Sequence, residues 1–259
     1  MMNTSLKERL SNGDVALGAF VKLNCPSIVE MMSLAGFDFI IVDCEHSSFG
    51  YPNVEDIIRT ADGAGLSSII RLRGSSEEHI LHALDSGAGG VQIPSLSTAQ
   101  EVEQAVAYTK YYPAGIRGLS FNQRAAQYGM GDKNNYIKSS NENTIVVVHV
   151  ENKIMADQVE KLCQIPQVDV LFIGPADLSQ SMGKPGATND PEVVAVIEKV
   201  FAIAIQHGKR VGIYVAGQVE LEKYLKMGAT YIAWKSDVTI FANAAKETVK
   251  AFKQYGKTV

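Results

Sequence analysis

Short apolar runs alternate with longer helical segments along the whole chain, and this alternation constrains the fold more than any other feature. Each run is rich in β-branched or other apolar residues and is followed by helical spacing, which is typical of parallel βαβ units. The runs are apolar on both faces, as expected for covered parallel strands. The predicted strands are Ala16 to Val21, Asp38 to Asp43, Ser68 to Leu72, Gly89 to Ile93, Thr144 to Val150, Asp169 to Ile173, Arg210 to Val215 and Thr230 to Trp234.

Eight such units fit one closed barrel. The 259 residues are close to the roughly 250 typical of a (β/α)8 fold. The segments LAGFDFI, DSGAGGVQI and KMGATYI repeat a helix end, a glycine turn and a buried strand. We therefore predict an α/β protein with a single TIM-barrel domain over residues 1–259.

Composition excludes several partner classes. A net charge of -4 and a pI near 5.8 provide no strong field for nucleic acid or anionic lipid. No segment approaches the roughly 20 apolar residues of a membrane span. Cys25, Cys44 and Cys163 are widely spaced, as in a reducing compartment. We expect a cytoplasmic protein that acts on small molecules, with no nucleic-acid or membrane partner.

The longest stretch without periodicity runs from Tyr111 to Asn143. Loops of this length in compact domains are usually functional or disordered. We expect a loop or a lid here rather than a linker between domains.

Polar residues follow almost every predicted strand. In a (β/α)8 barrel the reacting groups lie at the C-terminal ends of the strands. The residues found there are Asp43, Cys44, Glu45, His46, Arg71, Gln92, Pro94, His149, Glu151, Gly174, Pro175, Ala176, Asp177, Lys235, Ser236 and Asp237.

Glu151 and Asp177 follow neighbouring strands at matching depth. Two carboxylates there suit a hard divalent cation such as Mg²⁺, Mn²⁺ or Co²⁺, with water and substrate oxygens as the other ligands. The same positions are equally compatible with a helix cap and a turn.

A second group comes from the ends of the second and third predicted strands. His46 lies three residues after Asp43, so the carboxylate is in range to orient the imidazole as a general base. Arg71 offers a forked donor to a substrate carboxylate. Each residue also has a structural interpretation. His46 can be a packed histidine, and Arg71 can form an ion pair at the barrel rim. Glu45 can hold a metal-bound water or simply face solvent.

Several motifs in order resemble the HpcH/HpaI aldolase family. They are LAGFDFIIVDCEH, SIIRL, GAGGVQIPSLSTAQE, YYPAGIRGLS, HVEN, VDVLFIGPADLS and SDV. The resemblance implies a class II aldolase that cleaves or forms a 4-hydroxy-2-oxo acid through the enolate of pyruvate. It also implies homo-trimers or hexamers with an exchanged C-terminal helix.

The resemblance further implies roles for single residues. Glu151 and Asp177 bind the metal, Arg71 holds the pyruvyl group, His46 oriented by Asp43 is the base, and Glu45 lies near metal-bound water. The small or polar residues expected to shape the substrate floor are Gln92, Pro94, Gly174, Pro175 and Ala176. Arg117 and Arg124 resemble positions near the site entrance.

Departures from the family pattern leave the acceptor aldehyde open. His149 stands where glutamine is usual, Asn152 and Lys153 follow the metal glutamate, and Trp234-Lys235 replaces a smaller, glycine-containing run. His149 is expected to bind the 2-oxo acid or the metal, or else to pack in the core.

Three alternatives stay open. The first is a class I aldolase with a Schiff base on Lys235. The second is a carbon–carbon lyase for phosphoenolpyruvate or citryl substrates, and the third is a non-catalytic binder of 2-oxo acids.

Overall fold

Eight parallel strands close into a barrel in sequence order, β1 to β8, so β8 pairs with β1. The computed structural model describes residues 5–255. The strands are β1 Ala16–Val21, β2 Phe39–Asp43, β3 Ser67–Arg71, β4 Gly90–Ile93, β5 Ile145–Val150, β6 Val170–Ile173, β7 Arg210–Val215 and β8 Tyr231–Ser236. The prediction of an eight-stranded TIM barrel is confirmed. The strand bounds agree within one or two residues.

Helices connect the strands around the outside. They are α1 Leu6–Asn12, α2 Pro26–Ala35, α3 Tyr51–Ala64, α4 Glu77–Asp85, α5 Ala99–Ala107, α6 Lys133–Asn143, α7 Lys153–Asp157, α8 Val159–Cys163, α9 Pro175–Ser181, α10 Pro191–Gln206, α11 Gln218–Lys226 and α12 Asp237–Tyr255, with a 3-10 helix at Arg124–Gly129. In the described part of the chain, no helix has the length and apolar character needed to cross a membrane.

The barrel interior is a packed aromatic core. The rings of Phe39 and Tyr231 stack with centroids 4.3 Å apart, and Phe172 meets Tyr231 edge-on at 5.9 Å. A Cβ on Gly18 would overlap the Phe39 ring, so glycine there makes room for it. A second, larger core fills the space between strands and helices. The strands are therefore packed on their inner face by the aromatic core and on their outer face by the core beneath the helices.

The long segment between α5 and β5 packs against the N-terminal ends of the strands. Lys110 donates through Nζ to the Thr144 carbonyl just before β5 (2.9 Å), and Arg124 donates to the Ser86 carbonyl before β4 (3.0 Å). Active sites of this fold lie at the opposite end. Tyr111–Asn143 therefore forms no lid over the active-site end of its own barrel, and Arg124–Gly129 and Lys133–Asn143 are helical where the sequence pattern favoured a loop.

Arg117 and Arg124 belong to the same segment, so the prediction that they lie near the site entrance is wrong as well. Arg117 pairs with Asp85 at 2.7 Å, and Arg124 pairs with Asp62 at 2.6 Å. Both arginines hold the segment to the outside of the barrel, so neither lies near the site entrance.

The final helix, α12, begins at the barrel mouth and then leaves the core. Asp237 is its buried residue, whereas Phe241, Phe252 and Tyr255 are each more than 70% exposed. The exchange of this helix between subunits stays a prediction.

Candidate active site

A cavity of about 250 Å³ opens at the C-terminal ends of the strands. Its walls combine aromatic rings, two cations, a carboxylate and three hydroxyl-bearing side chains. The lining residues are Phe20, Lys22, Arg71, His149, Phe172, Gly174, Pro175, Ala176, Asp177, Tyr214, Ser236 and Thr239. Of the predicted site residues, Arg71, His149, Gly174, Pro175, Ala176 and Asp177 meet here.

Asp43 and Arg71 form a buried, two-pronged ion pair at the ends of β2 and β3. The two residues are direct register partners. Arg71 donates from Nε to Oδ1 (2.9 Å) and from Nη2 to Oδ2 (2.6 Å). Burial alone would raise the pKa of Asp43, but the Arg71 guanidinium, together with the Lys22 ammonium, lowers it to about 2. Asp43 therefore stays ionised and fixes the guanidinium plane.

The expected contact between Asp43 and the His46 imidazole is not made. Asp43 Oδ1 accepts the backbone N–H groups of Glu45 and His46, each at 3.1 Å. The His46 side chain is 60% exposed, and its Nε2 lies 3.8 Å from Glu45 Oε2. Asp43 thus shapes the turn that carries His46, while Glu45 is the carboxylate beside the ring.

Glu45 bridges the two halves of the site. Its Oε2 lies 3.1 Å from Arg71 Nη1, and its Oε1 accepts a long hydrogen bond of 3.4 Å from the Ser95 hydroxyl. Burial raises the pKa of Glu45, and the Arg71 charge offsets part of that rise.

Glu151, at the end of β5, is held by one donor on each oxygen. The Ser95 backbone N–H donates to Oε1 and His149 Nδ1 donates to Oε2, both at 2.6 Å. Ser95 has φ +60°, a left-handed conformation that non-glycine residues rarely adopt. Burial would raise the pKa of Glu151, but the His149 and Ser95 hydrogen bonds outweigh it and lower the pKa.

Glu151 and Asp177 come close together beside Gly174. A Cβ on Gly174 would lie 3.8 Å from Glu151 Oε2 and 3.6 Å from Asp177 Oδ2, so an oxygen of each carboxylate lies within 4 Å of one point beside Gly174. Within residues 5–255, no group of three or more His, Cys, Asp or Glu side chains is arranged to hold a metal. Two carboxylates with water and substrate oxygens are a donor set that Mg²⁺ accepts. The residues present therefore fit a divalent cation.

A hydrogen-bonded chain crosses the barrel beneath Glu151. The Tyr231 hydroxyl donates to Gln92 Oε1 (3.1 Å), so the Gln92 amide NH₂ faces His149 Nε2 (2.7 Å). His149 then carries its proton on Nδ1, where it donates to Glu151. Phe172 stacks on one face of the imidazole at 5.0 Å, so that face and both ring nitrogens are held by the protein.

These hydrogen bonds correct two expectations drawn from the sequence. Gln92 is fully buried with both ends of its amide engaged, so it supports His149 rather than contacting substrate. His149 lines the cavity, but both ring nitrogens already have protein partners. It therefore presents a ring face to a substrate and has no nitrogen lone pair available for a metal.

Lys235 is displaced from the interior by an irregularity in β8. The register with β1 shifts between the pairs Gly18–Ala233 and Phe20–Ser236, so β8 carries one extra residue. Lys235 absorbs the shift with φ +66°, and its Nζ lies 5.8 Å from the Trp234 ring centroid. Ser236 takes the interior position beside Phe20 and lines the cavity. The geometry does not support a Schiff base at Lys235.

The cavity lysine is Lys22, which sequence reasoning missed. It follows β1 directly, lines the cavity, and its Nζ lies 2.8 Å from Asp43 Oδ2. The sequence did hold a signal for Lys22, because it is a polar residue directly after the first predicted strand. Ser95 was missed for a different reason, because it acts through its backbone.

The sequence profile of the HpcH/HpaI aldolase/citrate lyase family matches residues 16–244. The chain belongs to this family. The predicted resemblance is confirmed. A curated relative, 5-keto-4-deoxy-D-glucarate aldolase of Klebsiella pneumoniae subsp. pneumoniae, is 33% identical over 248 residues, which are 96% of each chain. The family and its relatives indicate an enzyme of the aldolase and lyase class.

Solved structures agree. An HpcH/HpaI aldolase/citrate lyase family protein from Burkholderia cenocepacia J2315 superposes with a TM-score of 0.92 at 30% identity, covering 96% of this chain and 99% of that one. Citrate synthase SbnG gives a TM-score of 0.90 at 27% identity, covering 98% and 99%. Since two named activities share the barrel, the family alone does not fix the substrate.

Proposed function

We propose that this member of the HpcH/HpaI family is a divalent-metal-dependent aldolase that uses the enolate of pyruvate or a similar 2-oxo acid. The observation that carries the proposal is that an oxygen of Glu151 and an oxygen of Asp177 lie within 4 Å of one point beside Gly174, with Asp177 and Arg71 lining the same cavity. A cation held by the two carboxylates would polarise the 2-oxo group as a Lewis acid. The cofactor expected is Mg²⁺, Mn²⁺ or Co²⁺.

Arg71 binds the substrate carboxylate in this proposal. Three of its five N–H donors are directed at Asp43 and Glu45. The other two remain for a substrate, and Asp43 keeps the guanidinium in one plane. The stacking of Arg71 on Phe20, with Cζ 4.8 Å from the ring centroid, supports the same orientation.

His46 is the proposed base at C3 of the 2-oxo acid. Its Nε2 takes the C3 proton while Glu45, 3.8 Å away, stabilises the imidazolium that forms. The resulting carbanion equivalent attacks the aldehyde carbon. The new carbon–carbon bond and a proton on the aldehyde oxygen give the 4-hydroxy-2-oxo acid, and cleavage is the reverse.

The test is product formation from pyruvate and a panel of aldehydes with Mn²⁺ or Mg²⁺. We expect activity that EDTA removes and added metal restores. Asp177→Asn should lose Mn²⁺ binding in a direct titration, whereas Asp157→Asn, an exposed carboxylate 50% accessible on α7, should keep it. Equal Mn²⁺ affinity in Asp177→Asn and wild type would refute the metal assignment.

The same assay separates the alternatives. A class I enzyme would keep its activity after chelation, and borohydride would trap an adduct between pyruvate and a lysine. Lys22 is the lysine that lines the cavity, so it is where such an adduct would be expected. The similarity to a citrate synthase favours citryl-type substrates as the second candidate, read as citrate formed when oxaloacetate replaces the aldehyde as acceptor and an acetyl thioester replaces pyruvate. A non-catalytic binder would form no product.

Assembly and location remain predictions. We expect a homo-trimer or hexamer in the cytoplasm. The exposed apolar residues of α12, such as Phe241 and Phe252, supply the material for subunit contacts.

A further inference from the structure

Lys22 is a cation of the active-site cavity to which the proposed chemistry gives no role. It lines the cavity with Arg71 and Asp177, and its side chain is 30% exposed. Its Nζ lies 2.8 Å from Asp43 Oδ2, the same oxygen that accepts a hydrogen bond from Arg71 Nη2 at 2.6 Å. The two cations therefore lie side by side at one end of the cavity.

The backbone of Lys22 is held by a buried carboxylate. Asp237, 3% exposed at the start of α12, accepts the Lys22 N–H at 3.0 Å on each oxygen and the Leu23 N–H at 2.8 Å. A turn fixed in this way positions its side chain more sharply than a free loop does. Lys22 is thus supported rigidly at the cavity wall.

The two terminal nitrogens of the Arg71 guanidinium have different neighbours. Nη2 lies beside the Asp43 oxygen that it shares with Lys22, whereas Nη1 lies 3.1 Å from Glu45 Oε2. Each of these nitrogens carries two N–H donors and uses one of them in these contacts. Each therefore keeps one donor for a ligand.

The charges beside the two free donors decide where a ligand carboxylate binds. On the Nη1 side of Arg71 it would approach the Glu45 carboxylate, and like charges repel. On the Nη2 side the charge of Asp43 is balanced by the Lys22 ammonium. A lysine carries three N–H donors, and within residues 5–255 Asp43 is the one acidic partner of Lys22. The Lys22 side therefore offers a charge-assisted donor from each of two cations.

This placement also sets the direction of the reacting carbon. In a 2-oxo acid the carboxylate carbon and C3 are both bonded to the carbonyl carbon, so they point to different sides of it. With the carboxylate beside Lys22, C3 points toward the Glu45 side of Arg71. The His46 imidazole lies on that side, with Nε2 3.8 Å from Glu45 Oε2. A base and a substrate carbon held in this way are oriented for proton transfer.

We propose that Lys22, together with Nη2 of Arg71, binds the carboxylate of the 2-oxo acid and so orients C3 toward His46. The inference rests on the proposed aldolase function and adds a substrate-binding residue to it. Lys22 acts on the donor half of the reaction, so its effect is measurable without any aldehyde.

The test is the dissociation constant of pyruvate from the Mn²⁺-loaded protein, read from water-proton relaxation. Lys22→Met should raise this constant about 10- to 100-fold, the range of a hydrogen bond between charged groups, and Lys22→Arg should recover part of the loss. Lys235→Met, a lysine outside the cavity lining, should leave it unchanged. Mn²⁺ itself should bind Lys22→Met no more weakly than wild type, because the variant loses a positive charge.

A double-mutant cycle separates direct contact from an effect through Asp43. If Lys22 served only to hold Asp43, Lys22→Met would cause no further loss of pyruvate affinity in an Asp43→Asn background. We expect a further loss of similar size there. In deuterium exchange at C3, Lys22→Met should also lower the rate at saturating pyruvate several-fold, because C3 is less well oriented. Thermal unfolding of each variant checks that the fold is kept.

An unmoved pyruvate affinity in Lys22→Met, or no further loss in the Asp43→Asn background, overturns the contact. An unchanged exchange rate at saturation overturns the orienting role. Failure of the aldolase function looks different, because wild type itself would then show no metal-dependent exchange at C3.

Discussion

Replacing His149 with leucine tests whether the buried chain Tyr231–Gln92–His149–Glu151 positions the metal carboxylate. Glu151 has two hydrogen bonds in the structure, from the Ser95 N–H and from His149 Nδ1, both at 2.6 Å. Leucine fills a similar volume against Phe172 but removes the second donor. Glu151 Oε2 then loses the contact that fixes its direction toward the point beside Gly174.

The magnitude follows from the bond lost. A hydrogen bond to a charged group contributes about 1.5–3 kcal/mol, and supports of this kind change metal affinity about 10- to 100-fold. We expect His149→Leu to weaken Mn²⁺ binding by that factor. The variant should also be less stable by about 1–3 kcal/mol, because the buried Gln92 amide loses its acceptor.

Free Mn²⁺ measured by EPR during titration gives the affinity without any turnover. Tyr231→Phe is the matched control, since it removes only the distant neutral bond to Gln92 at 3.1 Å. Its effect on Mn²⁺ should be several-fold smaller than that of His149→Leu. An unchanged affinity in His149→Leu, or an equal loss in Tyr231→Phe, would refute the positioning role.

Two further predictions concern neighbouring residues. Because the pKa of Asp43 is lowered from 3.8 to about 2, its ionised form stabilises the fold by about 2 kcal/mol above pH 4. This contribution disappears as the pH falls through 2, so the stability gap between wild type and Asp43→Asn, read by urea unfolding, should close between pH 4 and 2; a constant gap contradicts the pairing. Gly174→Ala puts a Cβ 3.4 Å from Glu151 Cβ and 3.6 Å from Asp177 Oδ2; the fold should be unaffected while Mn²⁺ binding weakens several-fold, and unaltered binding would mean the cation lies elsewhere.

The fold was predictable because the barrel repeats one periodic unit. β1 and β7 have the bounds that the apolar pattern predicts, and β2 to β6 differ by a residue or two. β8 runs on to Ser236 because a bulge at Lys235 extends the pairing beyond the apolar run, and such irregularities have no periodic signal. The segment 111–143 looked functional by length, yet its ion pairs to α3 and α4 hold it at the far end of the barrel.

The candidate site was predictable in its residue types but not in its contacts. Strand-end position identified Arg71 and Asp177, both of which line the cavity. The imidazole of His46, three residues after Asp43, was expected to contact the Asp43 carboxylate. That carboxylate instead accepts hydrogen bonds from Arg71 and from the backbone. Lys22 depends on Asp237, 215 residues away in the chain, and a coupling of that separation is fixed only by closure of the barrel.

Deuterium exchange at C3 of pyruvate, followed by proton NMR in D₂O, tests the central claim most directly because it needs no aldehyde. The account predicts uptake in the presence of Mg²⁺ that EDTA stops, and its loss in His46→Ala with Mn²⁺ still bound. Uptake that persists after rigorous chelation, or wild-type rates in His46→Ala, would contradict it.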